Sequence, residues 1–294
     1  MHTLYHGDCL EILPTLPAQS VHAFITDLPY GTTACDWDSI IPLDKMWAEV
    51  KRLLVKGGCF ISTASQPFTT ELIKSNLKMF KYELIWDKGR GFEPQLANIR
   101  PMKSHENILV FGIGKIKYNP QMQPIKSYVS RRKAGTSLNR KDGTGQNIFA
   151  SKPFAEKKYT HSFPLSIIEA GFERGEHPTQ KPVQLYEYLI ETYTDPGDTI
   201  VDLCFGSGTT GVAAVRRGRN FIGIELLPQK EGDPNYFEIG SRRIGQAPQP
   251  LFTDTPRPLT PPAPDAGESA AQQALFTPEA DSAEGKLPTP SPRR

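Results

Sequence analysis

The sequence predicts an α/β fold: a mostly parallel sheet with helices on both faces, its strands drawn from the chain in a permuted order. Three observations carry this. Strand-like and helix-like segments alternate through the first 245 of 294 residues, as they do when strands are joined by helical crossovers. A glycine-rich turn, Gly206-Ser207-Gly208-Thr209-Thr210-Gly211, sits between a strand and a helix. Only about 20 residues of foldable sequence follow Glu225. A sheet that began at that turn would still need several strands, so they must come from the N-terminal half.

The first apolar run, Val21-His22-Ala23-Phe24-Ile25-Thr26, reads as a short buried strand. Residues 43–55 place Leu43, Met46, Trp47, Val50, Leu53 and Leu54 at helical spacing, and Lys56-Gly57-Gly58 is expected to stop that helix. Cys59-Phe60-Ile61-Ser62 follows as a strand, Pro67 to Met79 as a helix, and Tyr82-Glu83-Leu84-Ile85-Trp86 and Asn107-Ile108-Leu109-Val110-Phe111 as strands. Pro182 opens a helix to about Tyr193, proline being tolerated at a first helical position. Thr199–Leu203 and Asn220–Ile224 are strands flanking a helix from about Thr209 to Arg217.

Composition marks two further regions. Gln246 to Arg294 is rich in Pro, Ala, Thr, Asp and Glu and has few large apolar residues. It cannot bury enough surface to offset the entropy of ordering, so it is expected to be a disordered Pro-rich tail after a body spanning 1–245. The tail holds four basic and six acidic residues; removing its −2 from the chain's +2 leaves +4 on the body. Within the body, residues 115–158 carry eleven Lys or Arg against two acids, a local charge of +9. Tyr118, Tyr128, Phe149 and Phe154 are interleaved. This is the pattern of a surface that meets a phosphate backbone, and Lys126, Arg131, Arg132, Lys133, Arg140 and Lys141 are its candidate contacts. The insertion is expected to span about 115–176.

Cys9, Cys35, Cys59 and Cys204 lack metal-like or disulfide-like spacing, so reduced thiols of a cytoplasmic protein and no metal site are expected. The start lacks a basic segment followed by a long apolar one, and no apolar run approaches the ~20 residues that span a bilayer. Neither a signal peptide nor a membrane partner is expected.

Asp27-Leu28-Pro29-Tyr30 closes the first strand. A carboxylate, a carbonyl next to a proline and an aromatic ring within four residues suit gripping a flat ring by its amine edge and stacking on its face. Pro29 disfavours the helical conformation at Leu28 and so helps aim that carbonyl. Downstream, Gly206, Gly208 and Gly211 fit Gly-x-Gly-x-x-Gly, and Glu225 ends the next strand 19 residues after Gly206, placed to accept from a ribose diol. A nucleoside-containing cofactor is implied. NAD is the rival, and the shortage of strands after Glu225 weighs against it.

These residues resemble the β group of amino-group DNA methyltransferases, the N6-adenine/N4-cytosine family. There an Asp/Asn/Ser-Pro-Pro-Tyr tetrapeptide precedes an Asp-Pro-Phe-x-Gly-Ser-Gly-Thr-Thr loop. Here leucine holds the second position of the tetrapeptide, and Leu203-Cys204 replaces the proline before Phe205. The resemblance implies a Rossmann-like methyltransferase fold in circularly permuted order. It also implies S-adenosyl-L-methionine as cofactor and duplex DNA as partner, with Asp27, Leu28, Pro29 and Tyr30 catalytic. Asp8 of Gly7-Asp8-Cys9 would meet the cofactor's adenine. Lys181 of His177-Pro178-Thr179-Gln180-Lys181-Pro182 would frame its methionine part, and Asp202, Phe205, Gly206, Ser207, Gly208, Thr209, Thr210 and Glu225 would complete the cofactor site. His105 to Phe111 resembles a strand lining the target-base pocket. Aspartate at the first position favours adenine N6, with cytosine N4 as the alternative. An inactive DNA-binding protein and an NAD-dependent oxidoreductase are the remoter readings.

In the tail, Gln272-Gln273-Ala274-Leu275-Phe276 resembles peptides that dock on bacterial sliding clamps, so a clamp is a candidate partner. Monomer and homodimer both remain open.

Overall fold

A computed structural model describes residues 1–32, 38–130, 157–171, 180–226 and 234–248. All lie in the first of two units, Met1–Pro250; the second, Leu251–Arg294, falls outside the described residues together with the peptide 272–276.

Eight strands form one sheet in the order β1 (His2–His6), β10 (Asn220–Glu225), β9 (Thr199–Asp202), β2 (Val21–Thr26), β3 (Leu54–Ala64), β5 (Lys103–Gly112), β4 (Phe80–Phe92) and β8 (Ile167–Glu169). The first five are mutually parallel, β5 runs antiparallel to β3 and to β4, and β8 pairs parallel with β4. The permuted order is visible in the sheet itself: β1 and β2 flank the late strands β10 and β9. Strands β6 (Gln123–Ser130) and β7 (Lys157–Ser162) form a separate antiparallel ribbon.

The central strands are buried on both faces, and side chains alternate between two cores. Ala23 and Ile25, Cys59 and Ile61, and Ile108 and Val110 face one cluster, shared with helices α4 (Val183–Tyr193), α5 (Thr209–Arg216) and α6 (Tyr236–Gly245). Phe24, Phe60, Leu109 and Phe111 face the other, shared with α1 (Cys9–Ile12), α2 (Leu43–Leu53) and α3 (Phe68–Ser75). Among the described residues no helix is long and apolar enough to cross a membrane.

Several boundaries differ from the sequence reading. Helix α2 ends at Leu53, and Gly57 and Gly58 lie inside β3 rather than acting as its stop. Between Val21↔Leu54 and Ala23↔Cys59 the pairing shifts register, and a Cβ on Gly58 would stand 2.8 Å from the carbonyl oxygen of His22, so the glycine permits the strands to close over this irregularity. Helix α3 stops at Ser75, four residues short of Met79. Pro182 caps α4 from outside with extended backbone. Strand β8 lies within the span expected for the basic insertion yet joins the main sheet, through Ile85↔Ile167. Strand β1 and helices α1 and α6 were not read from the sequence.

Five parallel strands end on one edge. Pairings His6↔Glu225, Gly223↔Asp202 and Thr26↔Ser62 align their carboxyl ends. The last β3–β5 pair is Ala64↔Asn107. Beyond it β4 and β5 continue as a hairpin, pairing Trp86↔Glu106 and Asp87↔His105, and stand beside that edge as a wall.

Candidate active site

Asp27 leaves the carboxyl end of β2, and three residues far apart in sequence converge on it. Its Oδ1 accepts from the Tyr30 hydroxyl at 2.7 Å and from the Thr63 hydroxyl; its Oδ2 accepts from Lys181 Nζ at 2.6 Å. These three donors fill three of the carboxylate's four acceptor positions among the described residues, and the side chain keeps 27% exposure. Leu28 is buried in the apolar cluster of Trp47 and Phe68, which anchors the tetrapeptide where the family pattern has proline. The half-buried Tyr30 ring stacks on Phe68 with centroids 5.3 Å apart and planes at 22°. Just beyond, the buried Asp38 carboxylate accepts from the backbone N–H of Gly31 and Thr32, both at 2.9 Å, fixing the turn that follows.

Lys181, the residue before α4's capping Pro182, lies between two carboxylates: Asp27, and Glu106 Oε2 at 3.4 Å. Glu106 also pairs with Lys88 through Oε1 at 2.5 Å. Burial works against the charge on Lys181, but Asp27 and Glu106 outweigh it and hold its ammonium above the usual lysine range. Burial works against charge on Glu106 too; there Lys181 and Lys88 prevail and keep its carboxyl below the usual range. Burial raises the Tyr30 hydroxyl well above its ordinary value, with Asp27 and Glu106 adding to the effect, so it remains a donor.

The glycine loop joins β9 to α5. Asp202 is buried and its oxygens are taken from within the protein: Oδ1 by Thr26 at 2.7 Å and the Cys204 N–H at 3.2 Å, Oδ2 by Thr210 at 2.5 Å. It therefore ties β2, β9 and α5 together beneath the loop. Burial raises its carboxyl to about 6. Gly208 has φ +80, and a Cβ there would meet the Gly240 carbonyl oxygen at 2.9 Å, so α6 packs on the loop backbone itself. Phe205 is buried with its ring 5.7 Å from that of Phe237, and Arg243 donates to the Ser207 carbonyl. Ser207, Thr209 and Thr210 are buried, Thr209 donating to the Lys181 carbonyl at 3.3 Å.

Gly206 is the open member of the loop. Its φ is +50 and nothing lies within 4 Å of where a Cβ would stand. Its N–H donates to Glu225 Oε2 at 2.6 Å, and Leu226 N–H to Oε1 at 3.2 Å. Burial raises the Glu225 carboxyl to about 7. The Gly7 N–H donates to the Glu225 carbonyl at 2.9 Å, bringing Asp8 to the same edge. There Asp8 caps α1, accepting from Leu10 N–H at 2.8 Å, and stays exposed. An open backbone, an acceptor pair beside it and an exposed acid one strand over fit a nucleoside with a ribose diol. Among the described residues no group of three or more His, Cys, Asp or Glu is placed to hold a metal.

The basic segment is only partly described. Lys126 is exposed on β6, while Arg131, Arg132, Lys133, Arg140 and Lys141 lie outside the described residues, as does His177. Lys117 belongs to the body instead, bound to Asp198 at 2.9 Å and Asp195 at 3.0 Å. Thr63, Lys88 and Gly240 carry no assigned role in the sequence reading, and Glu106 enters it only as part of the strand His105 to Phe111. Thr63, Lys88 and Gly240 sit in no recognisable local motif, and the register of β3, β4 and β5 and the packing of α6 bring all four into place.

Comparison with known proteins gives a consistent result. Residues 21–231 match the DNA methylase family N6_N4_Mtase. The chain is 27% identical over 269 residues to the DNA adenine methyltransferase YhdJ of Escherichia coli (strain K12), covering 83% of each chain. Among solved structures it resembles the M1.HpyAVI–SAM complex, at 27% identity and TM-score 0.54 over 83% of this chain and 100% of that one. It resembles in fold alone the cytosine-N4-specific PvuII DNA methyltransferase, at 17% identity and TM-score 0.54 over 84% of this chain and 93% of that one.

Proposed function

This chain belongs to the N6_N4_Mtase family of DNA methylases, and from that premise we propose that it methylates the exocyclic N6 amine of adenine at a specific site in duplex DNA. The cofactor is S-adenosyl-L-methionine. When bound, it supplies a methyl group carried on a sulfonium. Gly206 would approach it with open backbone, Glu225 would accept from its ribose, Asp8 would meet its adenine, and the Lys181 segment would border its methionine part.

The observation that carries the reading is the Asp27 carboxylate, held by Lys181, Tyr30 and Thr63 with its side chain still 27% exposed. An exocyclic amine is a weak nucleophile because its lone pair is delocalised into the ring. Asp27 and the Leu28 carbonyl accept its two N–H bonds, letting the nitrogen pyramidalise and aim its lone pair. Catalysis is then mostly positioning. Asp27 also opposes the positive charge that the nitrogen acquires and receives the proton it sheds. The Tyr30 ring borders the base. The target atom lies inside the duplex stack, so the base must be flipped out.

Aspartate rather than serine at position 27 supports adenine, as does the name of the relative YhdJ. Methylation-sensitive long-read sequencing of DNA from expressing cells, with a nucleoside digest, tests this. N6-methyladenine at one motif is expected; N4-methylcytosine would overturn the base assignment. Asp27→Ala is expected to lower the methylation rate by about 10³-fold or more while S-adenosylhomocysteine still binds. Full activity of that variant would end the mechanism.

A further inference from the structure

At the inner corner of the site Glu106 does something the tetrapeptide and the cofactor loop do not account for. It is a carboxylate with 12% side-chain exposure on β5, set against two ammonium groups that are equally enclosed: Lys88 with 12% exposure and Lys181 with 8%. Its Oε1 is taken by Lys88, while its Oε2 makes no hydrogen bond among the described residues and faces Lys181 at 3.4 Å. Lys181 in turn grips Asp27 at 2.6 Å. The four groups form one chain of contacts, Lys88–Glu106–Lys181–Asp27, with formal charges that cancel. The Lys103 ammonium donates to Ser65.

Resting on the reading that Asp27 receives the target amine, we infer that Glu106 is a positioning residue for methyl transfer. It balances the two buried lysines beside Asp27, so that positive charge develops on the substrate nitrogen against a neutral corner rather than a cationic one. In the transfer the amine lone pair forms the N–C bond, and the S–C bond breaks with its electrons going to sulfur. The nitrogen holds one positive charge until a proton leaves through Asp27 to solvent. Without Glu106 the corner would hold two ammonium groups against one carboxylate, and in an enclosed site that excess opposes the new charge strongly. The ground-state base is neutral, so for the DNA substrate the penalty falls on the transition state and appears in kcat rather than in KM.

The test compares Glu106→Gln, Lys88→Met and the double variant by steady-state and single-turnover methylation, with thermal unfolding as the check of folding. Glu106→Gln is expected to lower kcat by about 10- to 100-fold, with KM for DNA within about twofold of the parent. Lys88→Met, which removes a cation, supplies the reference for the double variant. The double variant removes a pair rather than stranding one member, and is expected to recover most of the loss, to within about fivefold of the parent. Should Glu106→Gln alone fail to fold, the double variant carries the test by the same limit.

A folded Glu106→Gln with unchanged kcat would overturn the inference, as would a double variant no faster than the single one. A purely structural Glu106 would give neither the kcat-only loss nor a rescue by deleting its partner. Asp27→Ala, assayed alongside, separates the two ideas. If it is active, the reading of Asp27 fails and this inference with it. If it is inactive while Glu106→Gln is fully active, this inference alone fails.

Discussion

The glycine loop and the charged corner stand on the same edge of one sheet and are held by opposite means. Most of the loop's bonds run to nearby chain, Asp202 to Thr210 and the Cys204 N–H and Gly206 to Glu225, with Thr26 joining Asp202 from β2, and α6 seals it with backbone against backbone at Gly208 and Gly240. The corner is assembled from five separate segments, with Asp27, Thr63, Lys88, Glu106 and Lys181 meeting only through side chains. The loop is therefore governed by space and backbone angle, the corner by charge. A methylene should damage the first, and a neutral isostere should damage the second.

The sharpest way to break this contrast lies in two glycines. Gly208→Ala puts a Cβ 2.9 Å from the Gly240 carbonyl oxygen at φ +80. It is expected to lower stability by about 2–5 kcal/mol, left-handed strain and overpacking together. Gly206→Ala meets nothing within 4 Å at φ +50. It should lower stability by only about 1 kcal/mol, yet fill the open backbone and weaken cofactor binding. Denaturant unfolding and calorimetry on both variants check this; equal stability losses would show that close packing does not distinguish them.

A smaller effect sharpens the contrast from the electrostatic side. Burial raises Glu225 from its ordinary 4.5 to about 7. Across that window the native state binds more protons than the unfolded one, so this group's contribution to stability is greatest below 4.5 and falls as pH rises to 7. Ribose hydroxyls would donate best to the ionised carboxylate. Cofactor affinity should therefore rise between pH 6 and 7, by up to about tenfold, then level off, with proton release in that range. Calorimetry in buffers of differing ionisation enthalpy measures both, and Glu225→Gln should flatten the curve. Affinity falling with pH would contradict the acceptor role.

The smallest effect serves as the control. Lys126 is exposed on the ribbon, in neither region. Lys126→Ala should weaken DNA binding by about two- to fivefold across all sequences and reduce the salt slope by about one, leaving cofactor affinity unchanged. Titrations on DNA at several salt concentrations decide it; a change confined to one sequence would mean that this lysine reads bases.

The sequence by itself determined the α/β class, the permuted order, the tetrapeptide and the glycine loop. Each is written in consecutive residues: hydrophobic period, glycine spacing and the shortage of strands after Glu225 need no partner from elsewhere. Strand β1 and helix α6 went unread because the first is short and largely exposed and the second is mostly polar, with only Gly240 and Ile244 buried. The tertiary structure alone decided that Asp202 spends its oxygens on Thr26 and Thr210 beneath the loop, and that Lys181 grips Asp27 across 154 positions of chain. It alone placed Glu106 and Lys88 behind that lysine, where β5 runs past the last β3 pair. The physical reason is range. Backbone preference and periodicity act over a few residues, whereas the worth of a buried charge depends on whatever other charges the folded chain places within about 4 Å of it.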